Sequence, residues 1–86
     1  MKKLVEQVDG EGMESLIGER VLLLCANYFY TGRLMGVNDT CVLLDDPAIV
    51  YETGEWTAVK YKDAQPLNMK PFYVQTSAIE SFGRAK

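Results

Sequence analysis

The chain of 86 residues contains no histidine. That absence removes the commonest general base, the serine–histidine–aspartate arrangement and histidine-ligated metal sites together. No Gly-rich phosphate loop and no metal-ligand spacing stands in their place. The sequence therefore predicts no catalytic residue, no metal and no cofactor. The acid pair Asp45-Asp46 lies in extended sequence, where neighbouring side chains point to opposite faces and do not form an acid–base pair. Cys25 and Cys41 each sit in an apolar run, Leu22-Leu23-Leu24-Cys25 and Cys41-Val42-Leu43-Leu44, and read as reduced core cysteines. The remaining chemistry is that of binding. Tyr28-Phe29-Tyr30 reads in two ways. It is a stacking surface for bases or a partner's side chain, or Phe29 fills the core while Tyr28 and Tyr30 pack under a short helix or at a subunit interface. Lys60, Lys62 and Lys70 likewise form a basic face or are solvated groups that keep strands soluble.

Elements that could position these groups follow from pattern. A chain this short makes one domain, with a thin core. Its composition, 48% apolar and 24% charged, is that of a globular protein and excludes a disordered or collagen-like chain. No apolar stretch approaches the ~20 residues of a membrane-spanning helix. Met1-Lys2-Lys3-Leu4-Val5-Glu6 turns acidic without an apolar secretory segment, so the expectation is a cytoplasmic protein. Residues 1–12 read as a tail or frayed start. Met13, Leu16 and Ile17 fall at helical spacing ahead of Gly18, predicting a short helix over 13–17.

From Glu19 the pattern is strand after strand: Arg20 to Ala26, Tyr30 to Gly36, then Cys41 to Leu44, ended by Asp45-Asp46-Pro47, after which Ala48-Ile49-Val50-Tyr51 continues extended. Turn chemistry at Asn27-Tyr28, Asn38-Asp39-Thr40 and Thr53-Gly54 separates or follows them. Residues 56–62 alternate with mixed faces, and Pro66 and Pro71 make the following stretch an edge or a connection. Phe72 to Gln75 and Ala78 to Phe82 are short extended pieces about a tight turn at Thr76-Ser77. The class is mainly β, a small antiparallel barrel or sandwich. Apolar edges in so small a sheet aggregate or pair with another copy, so homo-oligomerisation is expected on physical grounds alone.

The net charge of −3 is unevenly placed. Residues 21–56 carry Arg33 against Asp39, Asp45, Asp46, Glu52 and Glu55, whereas the last thirty residues are net positive. The overall field does not attract a polyanion, and a basic face would have to come from the last third.

Residues 19–46 resemble the first motif of the Sm-like (LSm) family. The matching text is Glu19-Arg20-Val21-Leu22-Leu23-Leu24-Cys25, Asn27, Gly32-Arg33-Leu34-Met35-Gly36-Val37-Asn38-Asp39 and Val42-Leu43-Leu44-Asp45-Asp46. Residues 72–83, through Tyr73-Val74-Gln75-Thr76-Ser77-Ala78-Ile79, resemble the second motif in the form found in the bacterial RNA chaperone Hfq. Residues 47–71 fall where that family varies in length, as an arm. The resemblance implies a short N-terminal helix followed by a strongly bent five-stranded antiparallel Sm-like barrel. It implies subunits joined through edge strands into a homo-oligomeric ring, and single-stranded RNA bound around the pore in RNA metabolism. Gly32 and Gly36 would sit where a bending strand has no room for a side chain. Asn38, Asp39, Thr40, Thr76 and Ser77 would line the pore; the plain alternative is that they are turn residues. Asn38 replaces the family's Asp, Thr40 or Cys41 falls where a uracil-reading Asn would stand, the stacking position is not aromatic, and Gln75-Thr76 or Thr76-Ser77 replaces a basic pair. An Sm-fold structural or protein-interaction ring without RNA binding is therefore the alternative expectation.

Overall fold

The structure is a computed structural model and describes Leu4 and residues 10–85. The expected tail over residues 1–12 lies mostly outside the described residues. The chain runs through a 3₁₀ turn (Met13–Leu16), β1 (Arg20–Cys25), β2 (Phe29–Val37), β3 (Cys41–Glu52), β4 (Asp63–Pro66), β5 (Phe72–Gln75), a second 3₁₀ turn (Thr76–Ala78) and β6 (Ile79–Arg84). The protein is mainly β. Its strands form one antiparallel sheet in the order β4-β3-β2-β1-β6, with β5 also on β3.

The helix expected over 13–17 is a single 3₁₀ turn. Its bonds run from i to i+3: the Ser15 and Ile17 amides donate to the Gly12 and Glu14 carbonyls, both at 3.3 Å. A period of three keeps Met13 and Leu16 on one face, and both pack on the core. The same period throws Ile17 outward, where it is 48% exposed. Gly18, with φ at 95°, ends the turn.

The core is one cluster of Val21, Leu23 and Cys25 from β1, Leu34 from β2, Val42 and Leu44 from β3 and Val74 from β5. Register builds it: Leu34 lies opposite Leu44, and Val42 opposite Val74. Cys25 is buried as expected, whereas Cys41 is half-buried. Leu23 faces Tyr30 across β1–β2, so Tyr30 shares the core face and packs on the cluster. Phe29, opposite Leu24, lies on the other face and does not join the cluster. The reading that put Phe29 in the core is corrected. The run Val21 to Cys25 is apolar at every position and gives no sign of which parity points inward.

β3 does not stop at Asp45-Asp46-Pro47. Thr31 pairs with Ala48 and Arg33 with Asp45, so β3 carries one extra residue there and continues to Glu52. Asp46 takes φ 51°, a conformation that Asp tolerates better than most residues. Its carboxylate meets the Arg20 guanidinium at 3.2 Å. Pro47 lies beside this bulge, where a missing N–H disturbs the ladder least. Gly32 faces the bulge closely, whereas Gly36 has open room. The bend therefore requires the first glycine alone.

Residues 47–71 supply the second half of β3, a loop and β4. The alternating stretch 56–62 forms turns and bends, not a strand. The Lys62 amide donates to the Thr53 carbonyl at 3.3 Å, closing the loop at its base, and the ladder resumes only at Asp63. An alternation with no consistently apolar face has nothing to bury. β4 is an edge strand, as its proline predicts.

The sheet is six-stranded and open, where the resemblance implied a closed five-stranded barrel. β4 adds a sixth strand by pairing with the far half of β3, while β5 pairs with the near half. β5 and β6 are consecutive, yet they do not pair with each other. The 3₁₀ turn between them has extended residues on both flanks. It carries the chain onward and does not reverse it as a two-residue hairpin turn would.

Candidate nucleic-acid interface

Asn38-Asp39-Thr40 connects β2 to β3, and the second 3₁₀ turn connects β5 to β6. The pairing of β5 on β3, with Gln75 opposite Cys41, brings the two connections together. Two bonds join them: the Thr76 hydroxyl donates to the Asp39 carbonyl at 2.9 Å, and the Thr76 amide donates to the Thr40 carbonyl at 2.9 Å. Beside them opens a cleft of about 580 Å³. Asp39, Thr40, Cys41, Tyr73, Gln75, Thr76 and Ser77 line it. Four of the five pore residues that the resemblance implies therefore share one cavity.

Asn38 is the fifth and has another task. Its Oδ1 accepts from the Thr40 amide at 2.8 Å, the Cys41 amide at 2.9 Å and the Thr40 hydroxyl at 3.1 Å. The side chain is used in holding the turn, as an Asx turn does. For Asn38 the turn-residue alternative describes the geometry. Asp39 stands at the exposed tip, and among the described residues no ion pair or hydrogen bond engages its carboxylate. Among the described residues it is the one charged side chain lining the cleft.

Sequence reasoning missed Tyr73 and Gln75. Tyr73 is 56% exposed and supplies an aromatic face to a site expected to lack one. The signal was present in Phe72-Tyr73-Val74-Gln75. Phe72 and Val74 pack on the core, so period two turns Tyr73 and Gln75 to the other face. With Leu43 opposite Tyr73 and Cys41 opposite Gln75, that face runs straight into the Thr40 turn.

Tyr28 and Tyr30 lie elsewhere, in a chain of rings. Tyr51 meets Tyr28 at 6.1 Å, Tyr28 meets Tyr30 at 6.4 Å, and Tyr30 meets Phe72 at 5.6 Å. Tyr28 and Tyr51 are exposed and flank a shallow cleft with Asn27, Phe29 and Val50. Burial raises the Tyr30 phenol above its ordinary value, with the nearby Cys25, Tyr28 and Tyr51 adding to it. Burial also raises the Cys25 thiol, with the Glu80 carboxylate second.

The three lysines sit at different places. Lys60 lines a hollow with Arg20, Thr31 and Tyr61. Lys62 pairs with Glu52 at 3.6 Å. Lys70 lies beside Met35, Leu43 and Asp45. None of them lines the cleft between the two turns.

Among the described residues, no group of His, Cys, Asp and Glu could hold a metal ion, and no helix is long and apolar enough to cross a membrane. Compared with known proteins, the chain matches no family model, no curated protein and no solved structure.

Proposed function

We propose that the protein is a ring-forming Sm-like subunit that binds single-stranded RNA in the cleft between residues 39–41 and 73–77. The carrying observation is the pair of Thr76 bonds to residues 39 and 40. They join two polar turns, far apart in sequence, beside an exposed tyrosine, the combination that unpaired bases require. The ring rests on the edges. Among the described residues β6 pairs only with β1, and β5 only with β3, so each offers an unused side. An edge at each end of the sheet, one meeting the other on a neighbouring copy, is a heterologous contact that closes into a ring when the rotation allows. β4 is the less suitable edge, because Pro66 and Asp63 interrupt it.

A second reading, a protein-interaction ring without RNA, is favoured by one observation. The cleft holds a carboxylate and none of the three candidate lysines, so it does not attract phosphate. Native mass spectrometry of nuclease-treated protein mixed with short oligo-U and oligo-A separates the two. The RNA reading expects a ring mass that gains an oligonucleotide. A ring that stays bare at micromolar RNA supports the second reading, and a bare monomer overturns both.

A further inference from the structure

We propose that the cleft selects guanine, with the Asp39 carboxylate as the selecting group and Tyr73 as the stacking platform; this rests on the RNA reading above. Asp39 lines the cleft, and among the described residues no ion pair or hydrogen bond engages its carboxylate, while the Asn38 Oδ1 beside it is taken by its own turn. An ionised carboxylate only accepts hydrogen bonds. On its Watson–Crick edge guanine offers two adjacent donors, the N1–H and the N2 amino group, which match the two oxygens of one carboxylate. Uracil offers N3–H between two carbonyl oxygens that repel the same group. Adenine and cytosine each offer one amino group beside a ring nitrogen acceptor. A site whose only charge is negative, and which none of the three lysines enters, discriminates by the base edge more than by the backbone. Tyr73, 56% exposed, gives the base a face to lie on. Gln75 and Ser77, on the same cleft, remain as partners for the O6 carbonyl.

The test compares full-length protein binding to a short labelled oligouridine and to the same strand with one central guanine, at fixed salt, by fluorescence anisotropy. The expected result is that guanine raises affinity by about tenfold or more, the range of a bidentate base contact. Replacing that guanine by inosine, which lacks the exocyclic amino group, loses most of the gain. Asp39→Asn abolishes the preference, so that the guanine and uridine strands bind alike. Because only the backbone carbonyl of Asp39 bonds to Thr76, this variant keeps its fold, which circular dichroism verifies. Equal affinity for the uridine and guanine strands, or a preference that survives Asp39→Asn, overturns the selection while leaving RNA binding intact. Failure of every strand to bind overturns both.

Discussion

Replacing Gly32 by alanine destabilises this protein, and replacing Gly36 does not. A methyl group built on Gly32 would lie 3.1 Å from the Asp45 carbonyl oxygen, 3.2 Å from the Leu44 Cβ and 3.3 Å from the Pro47 Cα. Comfortable contacts between such atoms lie near 3.5–4.0 Å. The shortfall is a few tenths of an ångström against three atoms at once. Two of the three are backbone, held by the bulge that carries β3 past Asp46, so they yield less easily than a flexible side chain. Overpacking of this kind costs about 1–3 kcal/mol. Alanine returns about 0.5–1 kcal/mol, because the unfolded chain has less freedom to lose. The net expectation for Gly32→Ala is a loss of about 1–2 kcal/mol. At Gly36 the nearest atom, the Leu43 Cβ, is 3.9 Å away. Only the entropic gain remains there, about 0.5 kcal/mol of stabilisation. For a domain of this size each kcal/mol moves Tm by ~4–8 °C, so the two variants melt roughly 10 °C apart. The assay is thermal and urea unfolding followed by far-ultraviolet circular dichroism, at matched protomer concentration because assembly changes apparent stability. Gly32→Ala melting at or above the parent, or equal shifts in the two variants, refutes the close-approach argument.

Thr31→Val removes a buried hydroxyl that donates to the Val21 carbonyl at 2.8 Å; the expected loss is about 1 kcal/mol in urea unfolding, and an unchanged midpoint counts against it. Asn38→Ala removes three accepted bonds from the 38–41 turn and costs about 1–2 kcal/mol, whereas Asn38→Asp, which still accepts, keeps most of that. Equal losses in the two Asn38 variants would show that the turn does not depend on the acceptor. Cys41, half-buried, reacts with iodoacetamide before the buried Cys25, as peptide mapping by mass spectrometry reads directly. Stability also falls in alkali. Folding raises the Cys25 thiol and the Tyr30 phenol above their ordinary values of 9.0 and 10.0, so the unfolded chain loses these protons first. Their contribution is complete below about pH 9 and is lost as pH climbs through the folded values. A urea midpoint that stays flat from pH 7 to pH 11 contradicts this.

Much of the fold is legible along the chain. β1, β2, β5 and β6 fall within a few residues of the extended runs that pattern predicts. The turn at 38–40 stands where Asn38 places it, because that side chain satisfies the local backbone; the turn at 76–78 stands where Thr and Ser predict one, but its Thr76 hydroxyl and amide donate to the distant Asp39 and Thr40 carbonyls. The edge position of β4 follows from Pro66 for a similar reason: the lost N–H is a property of the residue itself. Gly32 was readable as a bend, but Gly36 reads the same way in sequence and is not needed as one. Only the atoms across the sheet distinguish them.

The composition and patterning of the chain by themselves determined its β class, the turn at 38–40 and its lack of histidine chemistry. These are local quantities, fixed by each residue's rotamers, donors and hydrophobicity. The tertiary structure decided which parity of an all-apolar β1 points inward, and so that Tyr30 and not Phe29 meets the core. It decided that β3 runs on through Asp45-Asp46-Pro47 and that its outer side is shared between β4 and β5. It also decided that Tyr73 and Asp39 lie on one cleft. Each of these depends on cross-strand register between distant segments. Register is set by which arrangement buries the most apolar surface across the whole sheet, a sum over pairs that no single stretch of sequence contains.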